Sequence, residues 1–320
     1  MAARYELKMG AATREAFGKA LVALGRADEN VVVCDADLSK STFTHLFGKE
    51  FPNRFFSCGI AEANMVSIGA GLAASGKIAF VASFSAFVLN KGFEQLRVNV
   101  AYSGAPLKVV GTHSGISIGE DGPSQMSVED LSLACSLAGF TVLSPADEVS
   151  MFALVKAAAY HPGPVFIRAG RVKAPVIYGP EQEFVIGKGI QLTEGNDLTF
   201  ISTGLLVAEC LRAAEALAAE GIAARVIDLH TIRPLDRELI ARAAAETGCL
   251  VVAEEHLVDS GLGVRVAQVV SETYPCVMEF HGIQNTYAES GLPEEVMEKY
   301  KMTAKDIVVT ARKALARKKA

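Results

Sequence analysis

The chain has 320 residues, half of them hydrophobic, and a formal net charge of −5 from 31 basic and 36 acidic residues. That length suits two ordinary α/β domains, each with its own core. Lys and Arg are scattered, which excludes a nucleic-acid surface, and the longest apolar run, 78–89, falls short of the about 20 residues a membrane span needs, so the chain reads as soluble. The N-terminus MAARYELKMG carries charges and no apolar core, so it does not read as a secretory signal. Cys34, Cys58, Cys135, Cys210, Cys249 and Cys276 include no CxxC spacing, which leaves zinc and thioredoxin-like chemistry unsupported. Most sit in apolar runs and read as buried thiols of a reducing cytoplasm. The basic tail, 312–319, reads as a solvated helix end.

Along the chain, short β-branched runs alternate with helical patterns. A helix over 13–24 precedes a strand at 31–34. A strand at 55–58 leads to a small-residue helix at 61–74, then a strand at 78–82 and a helix at 87–101. A strand at 107–111 opens a Gly-rich loop, 112–124, followed by a helix at 128–138 and a strand at 141–143. A helix at 149–159 and a strand at 165–168 complete the first unit. Between 174 and 193 Pro and Gly break the pattern, and the domain boundary is placed there, giving 1–180 and 181–320. Strands at 198–202, 224–227, 250–253 and 277–280 then alternate with helices at 205–219, 236–246 and 262–272, and two helices close the chain. Continuous apolar strands separated by helices predict parallel sheets covered on both faces, that is, two doubly wound α/β domains.

Four segments carry candidate chemistry. In CGIAEANMVSIGAGLAASG, one carboxylate, Glu62, opens an otherwise apolar helix. It is either a first-turn Glu favoured by the helix dipole or a semi-buried acid with raised proton affinity. In FVASFSAFVLNKGFEQLR, Phe84, Phe87 and Phe93 are either core or a flat wall for a heterocycle. In GTHSGISIGEDGPSQMSVEDL, His113, Asp121 and Gln125 lie on a loop after a parallel strand, where such folds bind ligands. In PVFIRAGR, Arg168 and Arg171 form a pair just past a strand that either grips an anion or makes surface ion pairs. SGLGVRVAQ lacks the third Gly of a dinucleotide fingerprint and reads as a tight turn. His230, His256 and His281 read as structural.

Together these segments resemble the pyrimidine-binding and C-terminal domains of transketolase. TREAFGKAL, DADLSKSTF, GIAEANMVSIGAG, FSAF, GISIGEDGPSQMSVEDL and FIRAGR occur in family order at family-like spacing, and RVIDLHTIRPLD…VVAEEHLVDSGLG is similar to the family's C-terminal domain. Full-length members begin with a diphosphate-binding domain whose Gly-Asp-Gly motif holds Mg²⁺. Neither Asp35 nor Asp121 has that context, so the resemblance is to the C-terminal subunit of a split enzyme.

The resemblance implies thiamine diphosphate as cofactor, with Mg²⁺ ligands on an N-terminal partner subunit and an assembly of two copies of each half. Activity is expected only with that partner: transfer of a two-carbon ketol unit from a ketose phosphate to an aldose phosphate, as in pentose phosphate metabolism. Glu62 matches the catalytic glutamate that hydrogen-bonds the aminopyrimidine. Phe87 matches the stacking aromatic, with Phe84 as a second wall residue. His113 and Asp121 match substrate-contacting positions. Gln125, implied to bind the cofactor, stands where many microbial members have His, which leaves it hydrogen bonding rather than proton transfer. Arg14, Ser41 and Arg171 match the residues that hold the acceptor's phosphate. Lys91 stands in for a family Arg as a point charge. The C-terminal domain is expected to support assembly rather than chemistry. The rivals are a β subunit of a 2-oxoacid dehydrogenase decarboxylating component and 1-deoxyxylulose-5-phosphate synthase. A transketolase for specialised sugars, apulose phosphate or sulfosugars, is a third alternative.

Overall fold

The computed structural model describes residues 7–319. The charged start of the N-terminal segment, 1–6, lies outside the described residues. Two large sheets organise the rest. The first has seven strands in the order Thr231–Arg233, Thr141–Leu143, Val165–Arg168, Lys108–Thr112, Ile78–Phe84, Val31–Asp35 and Phe55–Ser57. All neighbours in it run parallel except the first pair. The second has five strands, Val277–Ile283, Cys249–Leu257, Leu198–Ser202, Ala224–Asp228 and Ile190–Thr193, parallel except for the last. This is the doubly wound α/β architecture that the alternating pattern predicts. A short antiparallel pair, Met9–Ala12 with Lys173–Pro175, ties the start of the described chain to the end of the first unit.

The central strands form because their residues are apolar on both faces. Val31–Asp35 and Lys108–Thr112 are buried at every position, as befits strands covered by helices on both sides. The helix Glu62–Ala74 can lie close to its sheet because it is built of small residues. At Gly69 an added Cβ would come within 2.4 Å of Val81 and 2.9 Å of Leu107. Phe80, Phe166 and Phe200 are fully buried, and truncating any of them to Ala would cost about 3–5 kcal/mol.

One apolar cluster runs through both units: Val109, Val142 and Phe166 of the first share it with Ile201, Leu229 and Leu262 of the second. The segment between them is pinned by polar contacts as well. Asp147 caps the helix Glu148–Ala159 through Ser150 N–H, while its other oxygen accepts from Ile177 and Tyr178 N–H.

One expectation changes and one element is new. The helix placed at 87–101 is an α-helix over Ser85–Gln95 that widens into a π-helix over Leu96–Tyr102. The basic tail is the exposed end of the last helix, as expected, and its side chains make surface contacts: Arg312 pairs with Glu220, Lys313 and Arg317 pair with Glu279, and Lys318 donates to Thr247 O. The strand Thr231–Arg233, in a stretch to which the sequence pattern assigns no element, leaves the second unit to complete the edge of the first sheet. Among the described residues, no helix is long and apolar enough to cross a membrane. All six cysteines are free; four are buried, and Cys58 and Cys276 are half-buried.

Candidate active site

The carboxyl ends of the first sheet's strands gather the chemistry. Phe84 ends one strand and Thr112 its neighbour, and the chain reverses its winding direction beside them. Phe84 leads directly into the helix that carries Phe87 and Lys91, and Thr112 leads into the loop that begins with His113.

The side chains form a continuous ladder. Glu62, in the first turn of its helix, is 3% exposed. The Lys91 Nζ lies 3.5 Å from Glu62 Oε1 and 4.4 Å from the centre of the Phe87 ring. Phe87 stacks on Phe84 at 5.4 Å and 16°. Phe84 in turn stacks on the His113 ring at 3.7 Å and 24°. Arg14 Nη1 then meets His113 Nε2 at 3.1 Å and donates to Ser41 O at 2.8 Å. Arg14 Nε donates to Arg171 O at 3.2 Å, and Arg171 Nη1 donates to Ile118 O and to Glu120 Oε2.

Hydrogen bonding fixes the His113 tautomer. A guanidinium only donates, so Nε2 accepts from Arg14 and the ring proton is on Nδ1. Nδ1–H donates to Thr112 Oγ1 at 2.9 Å, and that hydroxyl donates to Ser83 O. Burial, reinforced by Arg14 and Arg171, pushes His113 down to about 3, so the ring is neutral throughout the physiological range. His113 also holds a positive φ of 58°, a conformation that costs a non-glycine residue of order 1–3 kcal/mol. Burial and the nearby Arg171 guanidinium lower Arg14 from its ordinary value, and Asp121 opposes them.

The structure thus brings Glu62, Phe84, Phe87, His113, Arg14, Ser41 and Arg171 into one row. Asp121, exposed on a short turn, reaches it only through its field on Arg14. Gln125 is half-buried and its Oε1 accepts from its neighbour Ser124 at 2.5 Å. Arg168 is a correction: it is not half of an anion-gripping pair. It is 6% exposed, its Nε donates to Asp130 Oδ2 at 2.8 Å and its Nη2 to Glu255 O at 2.8 Å. A guanidinium so committed has no face left for a ligand.

Three supporting groups escaped the sequence reading. Buried Asp35 accepts from Thr42, Thr44 and the Leu38 N–H, which shapes the segment that presents Ser41. Thr112 sets the His113 tautomer. Glu255 binds the 112–124 loop from the second unit through Ser117 N–H at 2.6 Å. The one visible signal was the two consecutive acids, Glu254 and Glu255, ending an apolar strand. His256 lies beside them, fully buried, with Nδ1–H donating to Leu257 O and Nε2 accepting from Ser132 N–H. Among the described residues, no group of three His, Cys, Asp or Glu side chains is placed to hold a metal ion.

Residues 9–176 match the transketolase pyrimidine-binding domain and residues 187–307 the transketolase C-terminal domain. The 6-deoxy-6-sulfo-D-fructose transketolase subunit SqwH of Clostridium sp. (strain MSTE9) is 39% identical over 305 residues, covering 95% of each chain. A putative transketolase C-terminal section from Methanocaldococcus jannaschii is 40% identical and covers 92% of this chain and 93% of that one. Human transketolase is 40% identical over 90% of this chain but only 46% of its own length. A solved split gene transketolase, described as an inactive beta4 tetramer, superposes with a TM-score of 0.91 at 45% identity, covering 97% of this chain and 100% of that one. These likenesses do not favour the oxoacid dehydrogenase or deoxyxylulose readings. The chain belongs to the transketolase family and corresponds to its C-terminal half, the pyrimidine-binding domain followed by the C-terminal domain.

Proposed function

We propose that this chain works as the C-terminal subunit of a thiamine-diphosphate-dependent transketolase, and that it turns over only with an N-terminal partner. The observation that carries the reading is the pairing of a buried carboxylate, Glu62, with the half-buried ring of Phe87. Both now receive the Lys91 ammonium: one accepts its charge and the other lies beneath it. An aminopyrimidine presents a flat face and a hydrogen-bonding edge to the same two groups, so the residues fit that half of the cofactor. Mg²⁺ and the diphosphate are assigned to the partner, as the family resemblance implies.

When bound, the cofactor supplies a carbon nucleophile and an electron sink for cleaving and forming carbon–carbon bonds. Glu62 holds a proton at the pyrimidine ring nitrogen and so sets its tautomer. Phe87 and Phe84 orient the ring and exclude water from it. His113, neutral, offers a lone pair at Nε2 once a ligand draws Arg14 away, and hydrogen-bonds substrate oxygen. Arg14, beside Ser41, and Arg171 grip a terminal oxyanion, with Asp121 at the rim for sugar hydroxyls and Gln125 hydrogen-bonding the cofactor. Six free cysteines suit a reducing, cytoplasmic setting.

A guanidinium pair reads a tetrahedral oxyanion without distinguishing phosphate from sulfonate. The similarity to a sulfo-sugar enzyme subunit therefore supports a second donor class, 6-deoxy-6-sulfo-D-fructose. The deciding experiment is titration calorimetry with thiamine diphosphate and Mg²⁺, on the chain alone and then with its N-terminal partner. Ketol transfer is scored in parallel from xylulose 5-phosphate and from the sulfo-sugar. Binding and turnover confined to the mixture support the reading. Tight metal-dependent binding by the chain alone overturns the assignment of the metal to the partner.

A further inference from the structure

The second sheet reverses its winding between Leu198–Ser202 and Cys249–Leu257, whose carboxyl ends lie side by side. Sheets of this kind take their ligands in the crevice at that reversal. Here the first unit fills it. The remaining cavity is about 10 Å³, lined by Ser114, Ser144, Arg168, Gly204 and Glu255 among others, which is room for about one water.

What enters the crevice is the backbone of the His113 loop. The Glu255 carboxylate accepts from Ser117 N–H at 2.6 Å. The approach is so close that a Cβ at Gly115, where φ is +79°, would fall 2.2 Å from Glu255 Oε1. The same strand also reaches the aromatic helix. Arg168 donates to Glu255 O and to Asp130 Oδ2, and Asp130 Oδ2 accepts from Ser85 Oγ in the first turn of the helix Ser85–Gln95.

We propose that Glu255, on the C-terminal domain, is a positioning residue for the substrate-contacting loop, and that Arg168 and Asp130 extend its hold to the helix bearing Phe87. The C-terminal domain then has a part in the chemistry beyond assembly. What the loop contacts rests on the transketolase reading; that Glu255 holds it does not.

The test uses the full chain, alone and assembled with its partner, with Glu255→Gln, Glu255→Ala and the neighbouring control Glu254→Gln. Glu254 is buried alike, but its oxygens accept from Leu262 and Gly263 N–H, so it secures the helix Leu262–Glu272 instead. Amide exchange at Ser117 is expected to accelerate about tenfold or more in Glu255→Ala and less in Glu255→Gln, which keeps one acceptor oxygen. The His113 ring, followed by NMR, should titrate well above about 3 in the same variants as the loop opens. In the assembled enzyme KM for the sugar should rise several-fold more than kcat falls. Glu254→Gln should lower thermal stability and leave residues 113–117 as they were. Unchanged exchange and titration in both Glu255 variants overturn the proposal, as does an equal effect from Glu254→Gln. Should Glu255→Ala fail to fold, Glu255→Gln decides. Absence of turnover with any sugar refutes the functional reading alone, since exchange and titration need no substrate.

Discussion

The two sheets share a winding pattern but use their carboxyl edges in opposite ways. The first keeps its edge for a ligand: a half-buried Phe87, a buried Glu62 and two guanidinium groups stand along it. The second closes its edge on the neighbouring unit, through Glu255, Arg168 and His256. Equal topology therefore does not give equal function; polar groups on both edges have protein partners, but Lys91 and Arg171 on the first stay partly open to solvent while Glu255, Arg168 and His256 on the second are buried.

The comparison breaks most readily at Glu62. Replacing it with Gln removes the carboxylate from the open edge while keeping the volume. With the partner subunit present, kcat should fall by about 10²–10⁴-fold, the range for losing an acid–base group, with the melting temperature nearly unchanged. A variant that retains full turnover would remove Glu62 from the chemistry. Next comes Arg171→Ala, which should raise KM for phosphorylated sugars roughly 10–100-fold with a smaller change in kcat, while Arg171→Lys recovers part of the loss. Equal KM values for phosphorylated and unphosphorylated sugars in the parent enzyme would count against an anion site.

Protons sharpen the contrast, because each sheet holds a buried group shifted in a direction that opposes the other. His113 is pushed down to about 3 by burial and two arginines, so its stabilising contribution is complete above the ordinary histidine value of 6.5 and is lost as pH falls towards 3. Asp228, in the second sheet, is pushed up to about 7 by burial. Its folded form keeps a proton that the unfolded chain has released, so stability falls as pH rises from about 4 to 7. Each slope is at most roughly 1.4 kcal/mol per pH unit. The two slopes oppose each other where the windows overlap, so in denaturant titrations His113→Asn should leave stability falling as pH rises from about 4 to 7, and Asp228→Asn should leave it rising from about 3 to 6.5. The smallest effect is expected for Lys91→Met. Lys91 is half-exposed and its pair with Glu62 contributes about 1 kcal/mol or less, so freeing Glu62 and Phe87 should tighten thiamine diphosphate binding by up to about fivefold, measured by calorimetry on the assembled enzyme.

Much of the architecture was legible where local pattern suffices. The strands Thr141–Leu143, Val165–Arg168 and Leu198–Ser202 and the helix Leu262–Glu272 lie where short apolar runs and their flanking breaks put them. Thr231–Arg233 was not legible, because its partner strand lies some 90 residues earlier and nothing local announces it. The same distance effect governs the site. Glu62, Phe87 and His113 stand out through motif resemblance, whereas the burial of Arg168 depends on Asp130 and on Glu255, 87 positions away. Lys91 looked like a substitute for an arginine, and its place between Glu62 and Phe87 became visible only once two helices were packed together.

The strand Thr231–Arg233 also bears on how this chain tolerates being divided. It covers the backbone edge of Thr141–Leu143, and Arg233 fastens it by donating to Cys135 O and Leu137 O. A fragment ending near residue 180 would carry that edge bare, with a row of unpaired amides and carbonyls ready to recruit another copy. Gene fission elsewhere in such an enzyme can leave two soluble products, but a cut between these two units would leave a sticky one. The two units are thus held together by a shared strand edge as well as by a shared core.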